Sequence, residues 1–141
     1  MKVLLEAPIF TQSGYGEHSR LVLDAIRENA EIDLYISPLE WGRTSWNTSY
    51  GDDFVMSSIH KLQNYIAVCQ HQQTQATFDL QIFIGIPNEF QKKAKHSICV
   101  TAGIETDRVS YNWIVKTHQG IDKIIVPSEH AKSGFVHTHY E

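Results

Sequence analysis

"KVLLEAPIFTQSGYGEHSRLVLDAIREN", residues 2 to 29, holds the pattern that decides the fold. Its first part, "KVLLEA" (2 to 7), is short, apolar nearly throughout and closed by Pro8, which reads as a buried strand. Its last part, "EHSRLVLDAIREN" (17 to 29), reads as a helix, with Val22, Ala25, Ile26 and Asn29 on one face and good helix formers between them. The loop "SGYGEHS" joins the two.

The same alternation continues down the chain. "IDLYIS" (32 to 37), "LQIFIGI" (80 to 86), "SICVTA" (97 to 102) and "DKIIVP" (122 to 127) are further strand candidates rich in Val, Ile and Leu. Because several are apolar on both alternating faces, they fit parallel strands covered by helices on each side. Val55, Ile59, Leu62, Ile66 and Cys69 recur at helical spacing and predict a second amphipathic helix of roughly four turns. "SYNWIVKTHQG" (110 to 120), ended by Gly120, and "SEHAKSGFV", with Ser128 as N-cap, predict two more. Right-handed crossovers then give a Rossmann-like three-layer α/β/α domain over residues 1–141, with a mostly parallel, doubly wound sheet and the first strand central. One irregular stretch, "PLEWGRTSWNTSYGDD" (38 to 53), is too long for a plain connection and carries Trp41 and Trp46.

Composition narrows the partners. A chain of 141 residues with 42% hydrophobic content can bury one ordinary core. Lys and Arg number 12 against 16 Asp and Glu, a net charge of −4, and no stretch reads as concentrating Lys or Arg on one face, which argues against nucleic acid and membrane surfaces. The apolar run at the start is broken by Glu6, and no later run reaches membrane-spanning length, so the expectation is a soluble, cytoplasmic protein with no membrane span. Cys69 and Cys99 stand thirty residues apart without a partner pattern and read as buried thiols. His137 and His139 lack a carboxylate or cysteine cluster to complete a metal site, and no metal is expected; His60, His71 and His96 read as surface residues.

The chemistry candidates gather where the strands end. Pro8 to Gly16, Gly85 to Asn88, Gly103 to Arg108 and Ser128 to His130 all follow strands, so four loops are expected on one rim, the carboxyl edge where open α/β sheets bind ligands. Gly14 and Gly16 precede a helix N-terminus, whose unpaired amides and dipole attract phosphate. As a dinucleotide fingerprint the loop is incomplete: Ser19 stands where the third glycine belongs, and no ribose-binding acid ends the second strand. Two readings stay open, a backbone that a ligand approaches closely and a tight turn that needs small residues. Glu105, Asp107 and Arg108 crowd the loop before the third helix, where Asp107 or Ser110 could equally be its cap. Trp41 and Trp46 are either a wall for a sugar or pins that hold their loop to the core.

"SGYGEHSRLVLDAI", "GIETDRVSYNWI" and "IDKIIVPSEHAKSGF", in this order and spacing, resemble the N-terminal domain of GT-B type glycosyltransferases, in particular those like family 4. The resemblance runs from Met1 to about Phe135 and implies the acceptor-binding half of an enzyme that moves a sugar from a nucleotide-sugar donor to a sugar or glycan acceptor. It implies no separate cofactor, and a second Rossmann-like domain supplied in cis or in trans. Gly14 and Gly16 would face the donor diphosphate, and Tyr15, His18 and Glu105 would line the cleft; Trp41, Asp107, Arg108 and Ser128 are the further candidates on the same rim. The nucleotide-binding half, with its pair of glutamates, is not among these residues, so the chain alone is expected to be inactive. A non-catalytic binding module on the same scaffold is the alternative.

Overall fold

The computed structural model describes residues 1–102 and 105–138. In chain order the elements are β1 (Lys2–Ala7), α1 (Gly14–Arg27), β2 (Asp33–Pro38), α2 (Asp53–His71), β3 (Phe78–Ile84), β4 (Ala94–Val100), α3 (Tyr111–His118), β5 (Lys123–Ile125) and α4 (Glu129–Val136), with single 3-10 turns at Thr48–Tyr50 and Pro87–Glu89. All five strands are parallel and lie in the order β2-β1-β3-β4-β5, flanked by helices in a Rossmann-like three-layer arrangement. The middle strand is β3, which corrects the expectation that β1 is central. The chain moves outward from β1 to β2, crosses back over β1 to β3, and then proceeds to β4 and β5.

Three clusters explain the layering. Val3, Leu5, Leu34, Ile36, Ile82 and Ile84 face α1, whose Leu23 is fully buried against them with Val22 and Ile26 alongside. Val55 and Ile59 of α2 join this cluster; on the opposite face Leu4 and Tyr35 pack with Leu62 and Tyr65 of α2, while Phe83 and Cys99 pack under Phe90 and Ile121. Five spaced apolar positions predict α2, and four of them are buried; Ile66 is 39% exposed. Burial of the Cys99 thiol pushes its pKa up to about 12, which keeps it protonated and unreactive.

Three expectations about the elements change. Helix α1 begins at Gly14 rather than Glu17, because the Ser13 hydroxyl accepts a hydrogen bond from the Gly16 amide and caps the helix there. The buried stripe of α1 is Gly16, Ser19 and Leu23, whereas Ala25 and Asn29 are exposed. Strands β3 and β4 start two and three residues earlier than their apolar runs. Among the described residues no helix is long and apolar enough to cross a membrane.

Candidate functional site

In this strand order the direction of winding reverses between β1 and β3, and the crevice outside the carboxyl ends of those two strands is where such sheets bind ligands. The segment after β1 fills that position, and most of its geometry is set by hydrogen bonds. Thr11 is fully buried; its hydroxyl donates to the Pro8 carbonyl at 3.0 Å and lies 2.8 Å from the Ser13 hydroxyl. The Arg20 guanidinium reaches back from α1 to donate to the carbonyls of Ile9 and Thr11, at 2.9 and 3.0 Å. The turn before α1 is therefore held rigid from both ends.

Gly14 and Gly16, paired in the sequence, have different surroundings. A methyl group built on Gly14 meets nothing within 4 Å, while one built on Gly16 lies 2.0 Å from the Thr11 carbonyl oxygen. Gly16 is thus needed for close packing of α1 on the preceding turn, and its side does not open onto a cleft. The two glycines therefore differ: the side of Gly14 is open, and that of Gly16 is packed against the Thr11 turn. Neither has a positive φ angle, so conformational freedom is not the reason for glycine here. The Ser13 cap uses the Gly16 amide, and among the described residues the amides of Gly14 and Tyr15 meet no acceptor.

Tyr15 joins two strand ends. Its hydroxyl lies 3.0 Å from the Thr101 hydroxyl and accepts a hydrogen bond from the Ala102 amide at 3.1 Å, tying the first turn of α1 to the end of β4. Trp41 rests on the Tyr15 ring with centroids 4.2 Å apart, and Trp46 stacks on Phe10 at 5.5 Å. The Gln12 amide donates to the Ser45 carbonyl at 2.9 Å, and Thr11 and Trp46 form an antiparallel bridge. Both tryptophans therefore pin the long 39–51 segment against the turn after β1. Trp46 remains 45% exposed, and half-buried Trp41 carries an aromatic surface to the rim beside Gly14 and Tyr15.

The other candidates are less gathered. His18 is half-buried on α1; Glu105, Asp107 and Arg108 are exposed in the bend after β4, where the Thr106 hydroxyl donates to the Arg108 carbonyl at 2.9 Å. Gly103 and Ile104, which open that loop, and His139 of the histidine pair lie outside the described residues. Ser110 occupies the cap position of α3 without a side-chain bond. The Ser128 hydroxyl accepts from the Ala131 amide at 3.1 Å, so it serves as the cap of α4. It follows edge strand β5, three strand positions from β1, or about 14 Å at ordinary strand spacing. Thr101, Ala102 and Ser13 were not singled out in the sequence, although Ser13 carries the ordinary N-cap signal; the part of Thr101 and Ala102 depends on a contact 86 residues away.

The arrangement offers a rigid turn, two uncommitted amides at the positive end of a helix dipole, and an aromatic wall formed by Tyr15 and Trp41. Among the described residues no group of three or more His, Cys, Asp or Glu side chains could hold a metal ion. No family model, no curated protein and no solved structure matches this chain.

Proposed function

We infer that these residues form the acceptor-binding half of a glycosyltransferase, one that works with a second Rossmann-like domain carrying the nucleotide-sugar. The observation that supports this most is the pair of uncommitted amides at Gly14 and Tyr15, placed at the winding reversal beside an aromatic wall. A diphosphate approaching from the opposite domain would meet partial positive charge there, and the open side of Gly14 leaves it room. Tyr15 is held by Thr101 and Ala102, so its ring and that of Trp41 are fixed before any sugar arrives, which lowers the ordering cost of binding. Exposed Glu105, Asp107 and Arg108 supply charged groups at the rim for sugar hydroxyls.

This reading is tested on the isolated chain by nuclear magnetic resonance titration with a panel of oligosaccharides, and by calorimetry with uridine and guanosine diphosphate sugars. Expected are glycan-induced shifts centred on Gly14, Tyr15 and Trp41, no sugar transfer, and nucleotide dissociation constants of about millimolar order. Micromolar nucleotide-sugar binding, or glycan shifts absent from these three residues, would count against it.

A further inference from the structure

A different surface, on the face of the sheet away from α1, carries a separate inference. The steps from β2 to β3, β3 to β4 and β4 to β5 all run in one direction across the sheet. Right-handed crossovers therefore place all three connections on the same face. The first connection brings the second half of α2, with Leu62 and Tyr65, to this face and the third supplies α3, but the second, residues 85–93, contains only the one-turn helix Pro87–Glu89. A helix position is left unfilled between α2 and α3. Phe90 covers part of it, buried against Phe83 and Cys99.

What remains is a groove of about 510 Å³. Leu4 and Phe78 form its floor, and Leu62 with the partly exposed Ile66 forms the α2 wall. Across from that wall stand Lys92, Lys93 and Lys95, against one carboxylate, Glu6, among the lining residues. Glu6 is neutralised where it lies: it accepts from Lys93 and from the fully buried Gln81, whose amide oxygen in turn accepts from the Lys93 backbone at 2.9 Å. Lys95 pairs with Asp79 at 3.0 Å, and among the described residues no carboxylate pairs with Lys92. A protein with a net charge of −4 thus presents an apolar trough with a cationic lip.

We propose that this groove docks an amphipathic helix of a partner polypeptide, its apolar stripe on Leu4, Leu62, Ile66 and Phe78 and a row of Glu or Asp along the flank facing Lys92 and Lys95. The vacant helix position sets the shape of the occupant, and the lysine lip sets its charge. The site is on a sheet face and does not depend on the reading of the rim.

The test uses two synthetic helical peptides of about 15 residues with the same Leu stripe, one flanked by Glu and the other by Lys. Binding is read by fluorescence anisotropy, and the contact surface by amide shifts. The Glu-flanked peptide should bind at least tenfold more tightly, with shifts at residues 62, 66 and 92–95. Lys92→Glu combined with Lys95→Glu should reverse that preference, and Ile66→Asp, an exposed change on α2, should remove binding with the melting temperature unchanged. The proposal is overturned if neither peptide binds, if both bind equally, if the shifts fall elsewhere, or if the groove proves to be filled by a second copy of this chain, seen as a dimer that Ile66→Asp dissociates.

Discussion

An added methyl at Gly16 would press on a backbone carbonyl, and a backbone atom cannot swing away as a side chain does. Gly16→Ala should therefore force α1 away from the Thr11 turn and destabilise the fold by about 1–3 kcal/mol, a typical overpacking cost. Gly14→Ala adds its methyl to open space on a helical residue and should leave the melting temperature unchanged or slightly raised. Thermal denaturation of the two variants measures the difference directly. An unchanged melting temperature for Gly16→Ala would mean that the turn yields more readily than its bonds to Arg20 and Ser13 imply. On the proposed glycosyltransferase reading, Gly14→Ala is the variant that should lower turnover in an enzyme assembled with a donor-binding domain, about tenfold if one transition-state contact of roughly 1.4 kcal/mol is lost.

At the scale of elements, Asp52 shows how one side chain sets both a helix end and a pH response. Its carboxylate caps α2 by accepting from the Val55 amide at 2.9 Å and also accepts from the Arg27 guanidinium at 2.6 Å. The Val55 bond, followed by the Arg27 bond, holds its pKa below the ordinary aspartate value of 3.8. A carboxyl group depressed on folding stabilises the protein above its unfolded pKa, and that contribution is lost as the pH falls through the lower, folded value. Asp52→Ala should cost about 1 kcal/mol at neutral pH, as for other lost caps, and Asp52→Asn less, because its amide oxygen still caps. Urea denaturation between pH 7 and pH 3 should show a shallower acid decline for Asp52→Ala than for the wild type; parallel declines would mean that Asp52 contributes nothing pH-dependent.

The elements also show what the sequence could and could not reveal. Strands β1 and β3 and helix α2 were legible because their buried residues are large and apolar, as in Val3–Leu5, Ile82–Ile84 and Val55, Ile59 and Leu62. The buried stripe of α1 was not, since Gly16 and Ser19 carry much of it and small residues leave no apolar signal where a helix approaches closely. The early starts of β3 and β4 were hidden for a different reason. Asp79, Lys95 and His96 are polar strand residues near the amino-terminal ends, and Asp79 is held there by the Lys2 amide at 2.9 Å and by Lys95. At the rim, a glycine pair suggested one shared role for Gly14 and Gly16, whereas the distance from Gly16 to Thr11 is a property of the folded turn alone.

For the whole molecule, the strand order places stability and the candidate site in the same region. β1 and β3 are hydrogen-bonded on both sides and carry fully buried residues on the α1 face, whereas β5 has three residues, one neighbour, and Ile125 46% exposed. Local opening needs little free energy where few buried contacts and ladder bonds must break, and approaches the global cost where many must. Native-state hydrogen exchange should accordingly rank the amides of Leu4, Leu5, Ile82 and Phe83 as the slowest, near the limit set by global unfolding, and those of Lys123 to Ile125 as faster by a factor of a hundred or more, about 2.7 kcal/mol. The turn after β1 should follow the slow group, because Arg20 anchors it to α1 and the Tyr15 bonds to Thr101 and Ala102 anchor it to the end of β4, a strand of the sheet interior. Tyr15→Phe tests that link: it removes the hydroxyl, and exchange at Gly16 and Ala102 should accelerate while Leu5 and Ile82 stay slow. If Gly16 exchanges as fast as Ile125 in the wild type, the turn opens independently of the sheet, and a preformed ligand cradle at this position is excluded.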